Sequence, residues 1–516
     1  MNVLNRISEI FAVFVFAILL LPICTFASNL EIESSLISSS DPESFYVGVT
    51  YCGDSVSEAK HLIDKVKSYT NLFILQSGSL QMQPDNINQI VDYAVDSDLY
   101  FIVYFGNQYW SFRNDWYETF NQRWDDYFLG VYFGDEPGGK MLDDQTFYED
   151  SSKNSITKRD DGSVYIVVPP SNDIRARITY QRNGTIFVEK EEWYNDGFFP
   201  VVNTTYATYF TNGTIKVEFR DGYGSNIQVE NDNNIPYSRE ELWNMYPFKS
   251  YSETSDIFIE TNQYNLLSET QGYRNVVSFT SDYALYWFDY LSGYDVILAQ
   301  FGWNHTIAQD IALVGGAANI QNKSWGAVIT WKYNQPPYLD SGEAIYEQMR
   351  TAYESGAKYV VIFNYAANMD GPYGTLQDEH FLTLESFWND VVQNPEVKQC
   401  SIRGEAVLVL PKNYGWGMRS PDDTIWGLWD ADEKSEQIWN LRSNLIDQYG
   451  LKLDIVYDDP DFPVEGKYAQ TVYAPTEKTE PILTTWIAFA IVMVTLVGVV
   501  ILVYFVKKKK ITKKVE

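Results

Sequence analysis

Two adjacent carboxylates follow a short apolar run, at the end of a predicted strand. The run Leu129–Phe133 is followed by Gly134, and Asp135 and Glu136 then precede a Pro-Gly-Gly sequence that forces a sharp turn. A carboxyl group at a strand end can be partly removed from water, which raises its pKa and suits it to general acid catalysis. The competing interpretation is structural, with the pair capping the next helix or bonding loop amides.

Amide and aromatic side chains also fall at the ends of predicted strands. Sugars present hydroxyl groups to amides and apolar C–H faces to aromatic rings, so this mixture suits a carbohydrate ligand. The candidate substrate-binding residues are Gln76, Tyr104, Asn107, Gln300, Trp303, Trp331, Lys332, Asn364 and Tyr365. The sequence has no zinc-type His/Cys spacing, phosphate loop, dinucleotide motif or nucleophile elbow, so we expect no metal and no other cofactor.

These residues can form one site only if the fold brings the ends of several strands close together. From Phe45 onward, apolar runs alternate with amphipathic stretches, which is typical of a parallel sheet with crossover helices. The predicted strands are Phe45–Cys52, Asn71–Gln76, Leu99–Phe105, Leu129–Phe133, Val276–Thr280, Tyr294–Phe301, Trp325–Lys332 and Lys358–Asn364. The predicted helices include Ser57–Tyr69, Asn86–Asp96, Ser341–Ser355 and Phe381–Val392. The count predicts an α/β fold, a (β/α)8 TIM-like barrel formed by residues 45–150 and 236–395, with working residues at the carboxyl ends of its strands. An open doubly wound sheet is the alternative.

Residues 151–235 interrupt the alternation and predict an all-β insertion. Asn183-Gly184 and Asn212-Gly213 each lie between alternating apolar residues, the strongest short hairpin signal. The two copies suggest a small antiparallel unit, interpreted as a sandwich. Because the insertion follows the fourth strand, it leaves the barrel on the face where such folds carry out chemistry.

After the barrel, residues 396–459 predict a reduced flavodoxin-like α/β segment. Its strands are expected at Glu405–Leu410 and Lys452–Tyr457, with a helix at Lys434–Tyr449 between them. Residues 460–481 contain several Pro, Thr and Glu and are interpreted as a stalk.

Glu136-Pro137 at the end of the fourth strand resembles the Asn-Glu-Pro signature of retaining (β/α)8 glycoside hydrolases. The order of barrel and flavodoxin-like segment is similar to that of the family-42 β-galactosidases. The resemblance implies that Glu136 is the acid/base, and it puts Asp135 where the family has an Asn that bonds the sugar 2-hydroxyl. Retaining hydrolysis also needs a second carboxylate about 5–5.5 Å away. The family carries it at the end of the seventh strand, but Trp325–Tyr333 contains no acidic residue.

A substitute for the missing carboxylate must then come from elsewhere. Asp282, after the fifth strand, is the best candidate, and Asp54 and Asp370 are weaker ones. A cap for a helix Tyr283–Leu291 explains Asp282 equally well. An inverting pair about 6.5–9.5 Å apart and a substrate-assisted route also remain open.

Two functions follow from these residues. The first is an extracellular, membrane-anchored glycoside-hydrolase-like protein acting on oligo- or polysaccharide. The second is a non-catalytic glycan-binding or cell-envelope protein, a pseudo-glycosidase. A second carboxylate across an open cleft from Glu136 would favour the first.

The two ends of the chain predict export and a membrane anchor. Residues 1–27 have the polar start, apolar run and small-residue site of a signal peptide, with an uncleaved anchor as the alternative. Residues 482–506 carry no charge and at ~1.5 Å per residue are long enough for a hydrocarbon core of ~30 Å. The lysine-rich tail, residues 507–516, marks the cytoplasmic side. We therefore expect a single-pass type I protein at the cell surface.

Charge and short motifs add constraints on partners. The formal net charge of −31 argues against nucleic acid or an anionic membrane surface as a partner. Five Asn-x-Ser/Thr sequons fit an exported glycoprotein, at Asn183, Asn203, Asn212, Asn304 and Asn322. After removal of a signal peptide, Cys52 and Cys400 remain, either as one disulfide or as two buried thiols.

Overall fold

The computed structural model describes the part of the chain between residues 45 and 475, with gaps. The described ranges are 45–80, 83–105, 116, 122–143, 146–147, 155–159, 161–171, 173–195, 200–223, 225–229, 235–270, 276–302, 306–365, 373–394 and 404–475. The predicted signal peptide, the anchor 482–506 and the tail 507–516 lie outside these ranges, as does Cys400. Within the ranges, none of the helices combines the length and apolar character needed to cross a bilayer.

Eight parallel strands close into a barrel, which confirms the predicted α/β barrel. In chain order they are β1 (Tyr46–Tyr51), β2 (Leu72–Leu75), β3 (Tyr100–Tyr104), β4 (Phe128–Tyr132), β13 (Ser278–Asp282), β14 (Val296–Phe301), β15 (Ser324–Ile329) and β16 (Tyr359–Ile362), with β5 to β12 in the insertion. The first strand, β1, pairs in parallel with both β2 and β16, so the sheet has no free edge. This closure excludes the open doubly wound sheet.

Helices connect and cover the strands. They are α1 (Val56–Val66), α2 (Pro84–Asp96), α3 (Pro137–Asp143), α4 (Arg239–Met245), α5 (Tyr251–Thr270), α6 (Tyr286–Leu291), α7 (Ile307–Gln321), α8 (Gly342–Glu354), α9 (Asp378–Phe387) and α10 (Glu433–Tyr449). The start of α8 shows why a helix begins there: the Ser341 hydroxyl caps it by accepting from Ala344 N at 3.3 Å. The buried positions Ile345, Met349 and Ala352 then form one apolar stripe toward the barrel.

Side chains that point into the barrel fill its interior and leave room only at one end. Apolar residues such as Ile74, Ile102, Phe279, Leu298 and Val361 form one buried cluster inside the ring of strands. Because side chains alternate along a strand, the next inward position toward each carboxyl end lies above this packed layer. The interior therefore supports a site at the carboxyl ends of the strands.

The insertion is one antiparallel sheet of eight strands in simple neighbour order. Its strands are β5 (Thr146–Phe147), β6 (Ser155–Lys158), β7 (Val164–Ser171), β8 (Ile174–Tyr180), β9 (Ile186–Asn195), β10 (Pro200–Tyr209), β11 (Ile215–Arg220) and β12 (Asn226–Val229). The two Asn-Gly sequences join β8 to β9 and β10 to β11, as predicted. The expected sandwich is wrong. The segment around α4, and not a second sheet, contacts the strands. The Tyr180 hydroxyl donates to Leu242 O at 2.6 Å, and the Tyr209 hydroxyl donates to Tyr237 O at 2.5 Å.

The C-terminal segment is a three-stranded parallel sheet packed on the helical layer of the barrel. Its strands are β17 (Ala406–Leu410), β18 (Leu453–Tyr457) and β19 (Gln470–Tyr473), with β17 in the centre. A Cβ at Gly316 of α7 would lie 2.9 Å from Ile455 N, so only glycine permits this close approach of helix and strand. The third strand corrects the prediction that residues 460–481 form a stalk, since β19 pairs with β17.

Candidate functional site

A cleft lies at the carboxyl ends of the barrel strands. Its inner part, about 130 Å³, lies directly above the packed interior, because Ile74, Leu298 and Val328 form its floor. Its outer part, about 560 Å³, is bordered by the segments after β1 and β2. The two parts share Gln76, Asp135 and Phe363, so they form one continuous cleft.

The pleat of the strands decides which polar residues enter this cleft. Inward positions at the strand ends supply Thr50, Gln76, Tyr104, Ser281, Gln300, Thr330 and Phe363. Apart from Thr50, which follows Gly48, each comes two positions after an inward apolar residue, as Gln300 follows Leu298 and Ser281 follows Phe279. The inner cleft therefore combines hydroxyls, amides and aromatic rings above an apolar floor.

Glu136 faces the inner part of the cleft from the turn after β4. Its backbone adopts a left-handed conformation, with φ 59°, and its N–H donates to Ser281 O at 3.0 Å. The Gln300 amide donates to Glu136 Oε1 at 2.6 Å, and the Lys140 ammonium lies 3.9 Å from Oε2. Burial and the neighbouring Asp135 charge raise the pKa of Glu136, and these two donors only partly oppose the rise. With 27% of the side chain exposed, the carboxyl group is accessible to a ligand.

Asp135 is bonded into a polar network at the same place. The Tyr132 hydroxyl donates to Asp135 Oδ1 at 2.6 Å and lies 2.7 Å from Ser281 Oγ. The Lys140 ammonium lies 3.6 Å from Asp135 Oδ2 and donates to the Asp135 backbone carbonyl at 2.5 Å. These partners hold the Asp135 carboxylate beside Glu136, where its charge disfavours ionisation of Glu136.

Asp282 does not enter the cleft. Phe279 and Ser281 point inward, so the alternation turns Asp282 outward, where it is 0% exposed. It accepts from Gly138 N at 2.6 Å and Gly139 N at 2.8 Å, the first N–H groups of α3. Its Oδ1 also accepts from Tyr283 N and Ala284 N.

The carboxyl group of Asp282 therefore caps α3 from the neighbouring strand. This corrects both the catalytic interpretation and the cap predicted for Tyr283–Leu291. Burial raises the pKa of Asp282 to about 7, although the N–H donors of Gly138 and Gly139 oppose the shift.

The structure brings some of the predicted binding residues together and separates others. Gln76, Tyr104, Gln300, Trp331 and Tyr365 line the cleft, and the Trp331 and Tyr365 rings pack with centroids 5.6 Å apart. Asn107 and Trp303 lie outside the described residues.

Two predicted binding residues are engaged elsewhere. The Lys332 ammonium donates to Asp340 Oδ2 at 2.6 Å, and Lys332 is not among the described residues that line the cleft. Asn364 points outward, since Val361 and Phe363 take the inward positions. Its side-chain oxygen accepts from Thr375 N at 3.0 Å and so closes a loop. Both residues are better explained by structure than by ligand binding.

The seventh strand, β15, offers no carboxylate to oppose Glu136. Its end supplies Thr330 and Trp331 to the inner part of the cleft. Among the described residues that line the inner part, the carboxyl groups are those of Asp135 and Glu136, and the outer part adds Asp54 and Glu58. Asp370, a weaker candidate, lies outside the described ranges.

Several cleft residues were not predicted from the sequence. They are Thr50, Cys52, Glu58, Ser79, Tyr132, Ser281, Thr330 and Phe363. Ser281 and Thr330 could have been found by counting two residues on from an inward apolar position, once the inward face of each strand was known. Within the described ranges, no group of three His, Cys, Asp or Glu side chains is arranged to hold a metal ion.

Comparisons with known proteins give structural likeness only. No protein-family model matches the chain, and no curated protein matches it. Among solved structures, the chain is similar to a β-galactosidase from the psychrophilic Marinomonas ef1, with 11% identity, a TM-score of 0.44, and coverage of 83% of this chain and 72% of that one. It is also similar to a β-galactosidase from Bacillus circulans sp. alkalophilus, with 10% identity, a TM-score of 0.44, and coverage of 85% and 68%.

Proposed function

We propose that the protein is a glycoside-hydrolase-like, carbohydrate-active barrel in which Glu136 is the general acid. The observation that carries the proposal is the placement of Glu136: an accessible carboxyl with a raised pKa lies above an apolar floor, among amides, hydroxyls and aromatic rings. A raised pKa keeps a carboxyl protonated up to a higher pH, and in that form it can donate to the oxygen of a leaving group.

In this mechanism the residues of the cleft have distinct tasks. Glu136 gives its proton to the glycosidic oxygen, and the Gln300 amide fixes the orientation of its carboxyl group. The rings of Trp331 and Tyr365 offer apolar faces to a sugar. A base for the attacking water would come from the outer part of the cleft, where Asp54 and Glu58 lie, since the seventh strand supplies none.

A second candidate function is glycan binding without hydrolysis. The observation that favours it is the pair Thr330 and Trp331, at the position where the retaining barrels that the sequence resembles carry their nucleophile. Such a protein would keep the sugar-binding surface and lack the second catalytic group.

A substrate screen separates the two functions. The soluble ectodomain would be incubated with aryl glycosides and polysaccharides, and binding to the same sugars would be measured by calorimetry. Release of product that Glu136→Gln slows, most strongly on substrates with a poor leaving group, supports the hydrolase. Binding without release supports the binding protein, and neither binding nor release contradicts both.

Replacing Gln300 by Met is expected to move the alkaline limb of the pH–rate profile to higher pH. The Gln300 amide lowers the pKa of Glu136 by donating to its carboxyl, and Met fills similar space without a donor, so the pKa rises further. A general acid works while protonated, and a higher pKa keeps it protonated to higher pH. The measurement is kcat/KM between about pH 4 and 9.

Gln309→Met is the matched control for this shift. Gln309 and Gln300 are each 6% exposed, and Gln309 also donates one amide hydrogen bond, to Met418 O at 2.8 Å. The control should leave the alkaline limb in place. An unchanged limb in Gln300→Met as well would show that Glu136 does not set the pH dependence.

The same proposal places the barrel outside the cell, tethered by residues 482–506. A chain of residues 1–480, which keeps the predicted signal peptide and lacks the predicted anchor, is then expected to be secreted as a soluble, folded protein that begins near residue 28. Fractionation of medium and membranes checks this, with the full chain as control. Recovery of the shortened chain only with membranes would contradict the predicted topology.

A further inference from the structure

The position of the Glu136 carboxyl group follows the position of helix α3. The Glu136 carbonyl accepts the first helical hydrogen bond, from Lys140 N at 2.9 Å, and Pro137 is the first helical residue. Proline fixes its φ near −65°, which stiffens the link between the two. Because α3 is only two turns long, its own hydrogen bonds are few, and its placement depends on its neighbours.

A lysine of the inserted sheet bonds the carboxyl end of α3. Lys158, the last residue of β6, is 3% exposed. Its ammonium donates to Leu142 O at 2.6 Å and Asp143 O at 2.8 Å, and more weakly to Met141 O at 3.4 Å. The last carbonyls of a helix have no partners within it, and a positive charge complements their partial negative charge.

With Lys158 at one end, α3 is held at both ends by ionisable side chains from other elements. Asp282 of β13 binds the N–H groups of Gly138 and Gly139 at the start of the helix. A third contact comes from the C-terminal segment, where the Arg419 guanidinium donates to both carboxylate oxygens of Asp143 at 2.9 Å. The helix that carries Glu136 is therefore located by the barrel, the insertion and the C-terminal segment together.

The described residues of the insertion do not line the cleft, so its influence on the cleft has to be indirect, and the contact with α3 provides one route. None of the described residues that line either part of the cleft belongs to β5–β12. A buried ammonium is also an unfavourable choice for mere space filling, since a methionine would occupy the same volume without loss of hydration. The charge at Lys158 therefore calls for a reason connected with α3.

We propose that Lys158 is a positioning residue for Glu136, through which the inserted sheet fixes the placement of α3 and of the carboxyl group above the inner part of the cleft. This inference rests on the proposed function, because a general acid must lie within hydrogen-bond reach of the leaving oxygen. It gives the insertion a part in activity without any contact between the insertion and the sugar.

Lys158→Met tests the proposal with two readouts. Hydrogen exchange of a peptide covering residues 133–143 should become at least about tenfold faster, because the end of α3 loses its donors, while other barrel peptides keep their rates. On a sugar that the wild type hydrolyses, kcat should fall by about 10–100-fold with KM nearly unchanged, as expected for a misplaced acid in an intact binding surface. If Lys158→Met does not fold, Lys158→Gln, which keeps an uncharged NH2 donor group, takes its place.

Lys190→Met is the matched control, since Lys190 is another lysine of the inserted sheet, with 21% of its side chain exposed, but it pairs with Glu192 instead of α3. Faster exchange without a fall in kcat would overturn the positioning role and leave a purely structural one. Unchanged exchange would overturn the contact itself. An inactive wild type would defeat the proposed function, and the exchange measurement would still decide whether Lys158 holds α3.

Discussion

Glu136→Gln is expected to lower the rate of hydrolysis of a sugar with a poor leaving group by about 10²–10⁴, the usual contribution of general acid catalysis. Glutamine preserves the size of the side chain and accepts the Gln300 hydrogen bond, but it has no acidic proton. Steady-state kinetics on an alkyl glycoside or polysaccharide measures the effect.

Substrates with different leaving groups, together with a control variant, distinguish a loss of acid catalysis from a loss of folded protein. An activated aryl leaving group needs little protonation, so the bond-breaking step on such a substrate should suffer less. Loss of one of two adjacent carboxylates also relieves repulsion with Asp135, so the melting temperature should stay level or rise slightly. Glu343→Gln, an exposed position in the first turn of α8, should change neither quantity. Equal activity of wild type and Glu136→Gln on every substrate would remove Glu136 from the mechanism.

The second large effect is expected at Asp282, where replacement by Ala should lower the free energy of unfolding by roughly 2–6 kcal/mol. The value follows from two buried N–H groups of α3 left without an acceptor, at about 1–3 kcal/mol each. Activity should fall further than the folded fraction, because the freed end of α3 carries Glu136. Urea unfolding and kcat on the same preparation measure both.

Asp282→Asn is the companion variant, because it keeps one acceptor and removes the titration. Burial raises the pKa of Asp282 to about 7 in the folded chain, far above the ~3.9 of an unfolded Asp. The stability that this group contributes is therefore fully present below the unfolded pKa and is lost as pH rises through about 7. Between about pH 5 and 8 the wild type should lose more stability than Asp282→Asn. Parallel stability curves would contradict this assignment of the buried proton.

The barrel could be predicted from sequence because apolar runs of strand length alternate with capped amphipathic helices. Whether an individual side chain points into the barrel or out of it could not be predicted. Strands of a parallel barrel are buried on both faces, so polar and apolar residues do not alternate visibly. Asp282 and Asn364 each stand at a strand end in the sequence, yet each points outward, and Ser281 beside Asp282 is the residue that enters the cleft. Only the register of the closed sheet distinguishes them.

Weak local signals account for the other differences. The strand β19, Gln470–Tyr473, pairs with a single neighbour and keeps its side chains partly exposed, so it lacks the apolar run of a central strand. The Asn-Gly turns predicted hairpins correctly, because turn geometry is local. The inserted sheet contacts the segment around α4 through Tyr180 and Tyr209. These contacts are long-range, and hairpin sequences carry no information about them.

The left-handed backbone of Glu136, with φ 59°, has an energetic consequence for the whole chain. Such a conformation costs a residue with a side chain roughly 1–2 kcal/mol, whereas glycine adopts it freely. The carboxyl group adds to this its unfavourable proximity to Asp135, which raises its pKa. On both counts the fold would be more stable with a smaller, uncharged residue at this position. A residue that lowers the stability of the fold on two counts fits the general-acid role proposed for Glu136, because such costs are typical of residues retained for chemistry.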